Sequence, residues 1–204
     1  MPIIGSPLSG VVTDADILDA AMVALGATPY SKMQSTDDAY IAANSLYALK
    51  RDAVIADHPW NGCVAMVVLV TTGQTPLFDW SYEYVYPPDG LRILRLDDES
   101  ADWEIGWDPI GVQKSLWCNK SPASCRYIFR NLNVASYSPY LADAIAARLA
   151  MELASALTAH QGKFANLAKV YQETLAFSKL NDGHEQSPQV VLSTSLTTDV
   201  RHGG

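Results

Sequence analysis

The stretch Ser35-Thr36-Asp37-Asp38-Ala39-Tyr40-Ile41-Ala42-Ala43-Asn44-Ser45-Leu46-Tyr47-Ala48-Leu49-Lys50-Arg51-Asp52-Ala53-Val54-Ile55-Ala56-Asp57-His58-Pro59-Trp60-Asn61 decides the fold class. Ser35 can cap a helix, and Asp38 puts a carboxylate beside the unpaired amides of the first turn. Ala42, Leu46, Leu49, Ala53 and Ala56 recur at helical spacing and predict one apolar face. His58-Pro59 ends the run, because proline disfavours a helical residue before it. The spacing predicts a helix over about 36–57, with Trp60 as the first anchor beyond it.

Upstream, Thr13 is placed to cap a first helix that carries Asp14 and Asp16 in its opening turn. Ile17, Leu18, Ala21, Met22 and Leu25 form its apolar face, and Gly26 stops it. Two helices about ten residues apart are expected to pack as an antiparallel pair. Residues 1–12 read as an extended arm.

From Trp60 to Ser136 the composition shifts to valine, tyrosine and tryptophan punctuated by proline and glycine, which predicts four to six short strands. Residues 64–70 read as a strand buried on both faces. Tyr82, Tyr84 and Tyr86 alternate onto one side of the next. Leu91, Ile93 and Leu96 oppose Arg92 and Arg95 in a third, and Trp103, Ile105 and Trp107 alternate after an acidic turn at 97–102. Cys125-Arg126-Tyr127-Ile128-Phe129-Arg130 closes the region.

Helical signals then return. Ser138 and Pro139 form a start signal, and Leu141, Ile145, Leu149, Leu153 and Leu157 make one ridge flanked by alanines. A last helix is expected over 163–180 with Phe164, Leu167, Tyr171 and Phe177 turned inward. After Asn181-Asp182-Gly183 the chain is polar apart from Val190-Val191-Leu192. The expected class is α+β. A helix pair (1–59, with its arm) and a second pair (137–183) make a two-plus-two four-helix bundle. An antiparallel β-rich insertion (60–136) interrupts it, and a flexible C-terminal tail (184–204) follows.

The chain has 204 residues, 49% of them hydrophobic, and a net charge of −8. That is enough apolar content for a real core, and the charge argues against a dedicated nucleic-acid clamp. A conduit along which DNA slides without being gripped remains compatible with it. Cys63, Cys118 and Cys125 give an odd count without metal-ligand spacing, which predicts reduced thiols. The first residues lack a signal-peptide pattern, and the apolar run at 63–70 is far too short to span a membrane.

Candidate chemistry is sparse. His58, His160, His184 and His202 belong to no catalytic signature, and His58 suits a helix C-terminus. Asp97, Asp98, Glu99 and Asp102 could in principle form a cation loop or a carboxylate pair, but the spacing is not that of an EF-hand and a solvated turn is the plainer reading. No cofactor or metal is expected. Trp80, Trp103, Trp107, Trp117 and the tyrosines at 82–86 exceed what a small core needs, so some are expected at an interface. Arg148 and Glu152, on the face opposite the Leu141 ridge, are the other interface candidates.

The helix ending in Arg-Asp-Ala-Val-Ile-Ala-Asp-His-Pro-Trp-Asn (51–61) resembles the head-to-tail adaptor, or connector, family of tailed phages, which includes tail tubular protein A. Three further segments resemble that family in the same order: the stop at 24–29, the strand entry Tyr84-Val85-Tyr86-Pro87-Pro88-Asp89-Gly90-Leu91-Arg92, and the alanine-rich helix from Ser138. Together they span roughly residues 13–182. The resemblance implies a virion structural protein without catalysis, assembled in the host cytoplasm and lodged at the head-tail junction. It implies a ring of roughly twelve copies between the portal and a nozzle or tail protein, extending the DNA channel without binding DNA specifically or touching a membrane. Residues 184–204, with Val190, Val191 and Leu192, would dock on the portal. Tyr82, Tyr84, Trp103 and Trp107 in the insertion, with Arg148 and Glu152, would meet neighbouring subunits or the tail. An alternative from another class is a tail-associated cell-wall or polysaccharide hydrolase using Asp98 and Asp102 as acid and base.

Overall fold

Thr13 opens the first helix, α1 (Asp14–Ala24), with a complete capping box. The Asp16 amide donates to Thr13 Oγ1 at 3.2 Å, and the Thr13 amide donates to Asp16 Oδ2 at 2.9 Å. Gly26 closes α1 at φ +72°, a left-handed conformation that glycine adopts without a Cβ penalty. The Gly26 and Ala27 amides reach back to the carbonyls of Val23 and Met22. The computed structural model describes residues 12–76, 78–157 and 161–184, so the arm at 1–11 and the residues after 184 lie outside it.

The chain is mixed α+β, with four helices and two small antiparallel three-stranded sheets among the described residues. The helices are α1, α2 (Asp38–Asp57), α3 (Pro139–Leu157) and α4 (Gln161–His184). The strands are β1 (Val64–Val68), β2 (Tyr82–Val85), β3 (Gly90–Leu96), β4 (Trp103–Asp108), β5 (Gln113–Cys118) and β6 (Ser124–Phe129). One sheet runs β1-β6-β3 and the other β2-β5-β4.

Helix α3 is the hub, touching α1, α2 and α4. Its Leu141, Ile145, Leu149 and Leu153 are buried at the centre of the helical core, as their spacing predicts. The expected direct α1–α2 pairing is corrected: each packs chiefly on α3. Side chains tie them at the edge: Tyr47 donates to Asp14 Oδ1 of α1 at 2.5 Å, and Tyr30, in the turn after α1, donates to Asn44 Oδ1 at 3.0 Å.

Helix α2 departs from its expected cap and face. Asp37, not Ser35, is the N-cap residue, and its carboxylate accepts from the Gln34 amide at 2.9 Å instead of capping α2. The buried face runs through Ala43, Arg51, Val54 and Ile55, while Leu49 is 65% exposed and Ala53 is exposed. Alanines bury little area, so the face with Tyr47, Val54 and Ile55 wins. Trp60 locks that choice. It is fully enclosed, and its indole N–H donates to the Val54 carbonyl at 2.9 Å.

Helix α4 runs four residues past its expected end, and Asn181-Asp182-Gly183 form its last turn. Leu167, Tyr171, Leu175, Ser178 and Asp182 face inward; Phe164 and Phe177 are exposed, contrary to expectation. Asp182 explains the extension. It is buried, and its Oδ1 accepts from the Asn61 amide at 3.2 Å while its Oδ2 lies 3.2 Å from His58 Nε2. The Asn61 side chain donates in turn to the Asp182 carbonyl at 2.8 Å.

Strand β6 joins the two layers. Ile128 enters the helical core, whereas Cys125, Tyr127 and Phe129 meet the second core, which includes Leu116 and Cys118 of β5 and Tyr84 of β2. Arg130, just after β6, donates to Asp52 of α2 at 2.6 Å. In β3, register shifts divide the apolar residues: Leu91 and Leu94 pack toward the helices, and Ile93 and Leu96 toward the second sheet. The single face expected for Leu91, Ile93 and Leu96 is therefore corrected. So is the burial of 64–70. β1 is an edge strand on which Ala65 packs inward while Met66 (75%) and Val68 (63%) are exposed, as is Val70 beyond it.

Candidate functional site

The second sheet turns Tyr84, Leu116 and Ile105 toward the core, so the residues between them point the other way. Register places Glu83 of β2, Trp117 of β5 and Glu104 of β4 side by side across this outer face. The Trp117 indole donates to Glu83 Oε1 at 2.9 Å and lies over Gly106, where an added Cβ would stand 2.3 Å from the ring. Thr72 Oγ1 approaches the other carboxylate oxygen of Glu83 at 3.2 Å. Glu83 is thus a buried acceptor, satisfied on both oxygens.

Residues 74–76 and 78–80, with the β4–β5 turn, border this row and enclose a cleft of about 710 Å³. Trp80, Trp107 and Phe78 contribute aromatic wall, and Asp79, Glu83, Glu104 and Asp108 are its charged lining. Asp108 shapes the turn. Its carboxylate sits below the usual range chiefly because the Gly111 amide binds it, helped by the Ile110 amide at 2.8 Å.

The acidic turn at 97–102 is a separate, shallower feature beside Tyr82. Asp98 accepts from the Ser100 hydroxyl at 2.6 Å and from its amide at 3.0 Å, which holds its carboxyl below the usual range. Asp97 is lowered chiefly by the Ser124 amide, with Lys120 adding an ion pair at 3.1 Å. A general acid needs a raised pKa, so Asp98 is tuned the opposite way.

The other sequence-derived candidates separate in space. Trp107 lines the large cleft, and Tyr82 borders the acidic turn. Tyr84 is buried, its hydroxyl donating to the Lys120 carbonyl at 2.8 Å, and Trp103 packs on the second core. Glu152 holds Lys50 of α2 at 3.0 Å and Arg148 at 2.8 Å, and Arg148 also lies over the Tyr171 ring at 5.2 Å. This pair joins α2, α3 and α4 within one chain. Val190, Val191 and Leu192 lie outside the described residues.

Sequence reading singled out Trp80 and Trp117 as surplus aromatics but missed Glu83 and Glu104. Their signal is parity: Glu83 alternates with Tyr82 and Tyr84, and Glu104 with Trp103 and Ile105, which turns both to the far face. Among the described residues, no group of His, Cys, Asp or Glu could hold a metal ion, and no helix is long and apolar enough to cross a membrane. Cys63, Cys118 and Cys125 are free and buried, and burial pushes the Cys63 and Cys125 thiols up to about 11. No family model matches the chain, and no curated protein matches its sequence.

Proposed function

We propose that this chain is a structural head-to-tail adaptor of a tailed phage: a ring subunit, of roughly twelve copies, joining portal to nozzle or tail protein and extending the DNA channel. In this reading the four helices form the two-plus-two bundle of the ring wall, and the strand layers are its insertion. The segment after His184 docks on the portal, and the protein performs no catalysis. The ordered succession of four family-like segments supports the family assignment.

The observation that carries the assembly reading is β1. Met66 and Val68 are exposed on an edge strand, and among the described residues no strand lies beside it on the side away from β6. Such an edge is an aggregation hazard in a free monomer and a ready seam between neighbouring copies of a ring. The net charge of −8 suits a channel that must not grip DNA.

The test is negative-stain microscopy of the tagged protein purified from phage-producing cells, beside the protein purified alone. Rings of about twelve subunits stacked on a portal support the reading. Monomers or small oligomers in both samples overturn it.

A further inference from the structure

We infer that the cleft on the outer face of the β2-β5-β4 sheet receives an arginine side chain presented by a loop of a partner protein. The inference does not depend on the adaptor reading, since it stands on the cleft alone.

The first ground is charge. Among the described residues, the charged ones that line the cleft are all carboxylates. Glu83 and Asp108 already serve Trp117, Thr72 and the turn amides. Among the described residues, neither the Asp79 nor the Glu104 carboxylate is engaged by a hydrogen bond or ion pair. The Trp117 indole N–H is spent on Glu83. The free charges that the cleft offers are therefore carboxylates, beside neutral donors at Gln74, Thr75, Trp80 and Trp107, which suits a cationic ligand. Arginine carries five N–H donors and a positive charge to meet these carboxylates, whereas a sugar is neutral.

The second ground is shape and surface. Indole walls at Trp80, Trp107 and Trp117 give a planar guanidinium a face to stack on, and a carboxylate beside an indole matches its fork. Lysine, a compact and strongly hydrated cation, gains less from such a slot. The rim is apolar and open: Phe78 is 95% exposed, and Trp107 and Ile110 are exposed with it. A polar socket inside an aromatic and aliphatic rim is the layout of an arginine hot spot in a protein interface. Phe78, at φ +67°, lines this cleft and is one of two non-glycine residues of positive φ among those described; the other, Val112 at +50°, lies in the β4–β5 turn beyond the lining residue Ile110. Strained backbone of this kind concentrates at binding sites.

The test titrates the full chain with acetyl-Leu-Arg-Leu-amide, following indole N–H resonances by NMR. The same peptide with citrulline, the neutral isostere of arginine, is the control. We expect saturable shifts at Trp80, Trp107 and Trp117, with citrulline at least about tenfold weaker. Glu104→Gln, an exposed substitution, should weaken arginine-peptide binding by about three- to tenfold, and Trp107→Ala by at least as much. Equal binding of the two peptides overturns the inference, as does an unchanged affinity in Glu104→Gln. So does the absence of saturation by about 10 mM, or tighter binding of maltohexaose than of the arginine peptide. Ring imaging does not involve this cleft, so either proposal can fail while the other stands.

Discussion

His58 Nε2 lies 3.2 Å from Asp182 Oδ2 and joins residues 124 positions apart, pinning the end of α2 to the last turn of α4. The same carboxylate accepts from the Asn61 amide, so one buried group terminates one helix and extends another. Asp182→Ala removes the carboxylate that both the amide and the imidazole reach. We expect a loss of about 1–3 kcal/mol, read as a lower urea midpoint with an unchanged m-value. Stability equal to wild type would show that the contact holds nothing.

Burial lowers the His58 pKa below its usual 6.5 and outweighs the opposing pull of Asp182, so the ring is neutral in the fold at neutral pH. The unfolded chain takes up that proton first as pH falls. Stability from this group is therefore complete above about 6.5 and declines as pH drops from there through the folded pKa. The part of the decline that vanishes in His58→Asn measures the effect. A His58→Asn curve parallel to wild type between pH 7 and 5 would contradict it.

Leu49 and Ile145 separate the two accounts of the helical core. Ile145 is fully buried in α3, whereas Leu49 is exposed on α2 despite its place in the apolar stripe. Ile145→Ala should cost about 2–5 kcal/mol, and Leu49→Ala should fall within about 0.5 kcal/mol of wild type. A large loss in Leu49→Ala would restore the stripe that the sequence alone suggests.

Gly106→Ala puts a methyl group into the Trp117 ring. The indole must move and release Glu83, with an expected loss of about 1–3 kcal/mol. Near-UV circular dichroism should change with it. A native spectrum and stability would mean that Trp117 does not rest on this strand.

Val68→Lys places a charge on the exposed side of the β1 edge, where it costs the single chain little. If neighbouring copies cover this strand, rings should be lost from the portal-bound sample while the thermal midpoint of the isolated protein stays within a few degrees. Intact rings would move the seam elsewhere.

Where local chemistry decides, the sequence is readable. The Thr13 capping box, the Gly26 stop, the Pro139 start and the four-residue ridge of α3 depend on residues within a turn or two of each other. The face of α2 is different, since two overlapping apolar stripes compete and Trp60, reaching back to Val54, settles which is buried. Gly183 reads as a breaker because glycine costs a helix about 1 kcal/mol, and the contacts of Asp182 offset that cost. β1 reads as buried because valine and methionine usually are; its edge position depends on pairing with β6, sixty residues away. The cleft shows the same division. Its tryptophans stand out by number, but the row Glu83-Trp117-Glu104 exists only once three strands are in register.

β6 has a further consequence, for the order in which the molecule comes apart. Tyr127 and Ile128 are neighbours in sequence yet belong to opposite cores. Neither the helices nor the outer sheet can loosen without leaving β6 held from the other side. Its amides should therefore be the slowest to exchange with deuterium in the strand region, slower than those of β1 and β4 at the margins. Faster exchange in β6 than at those margins would mean that the two layers open as one.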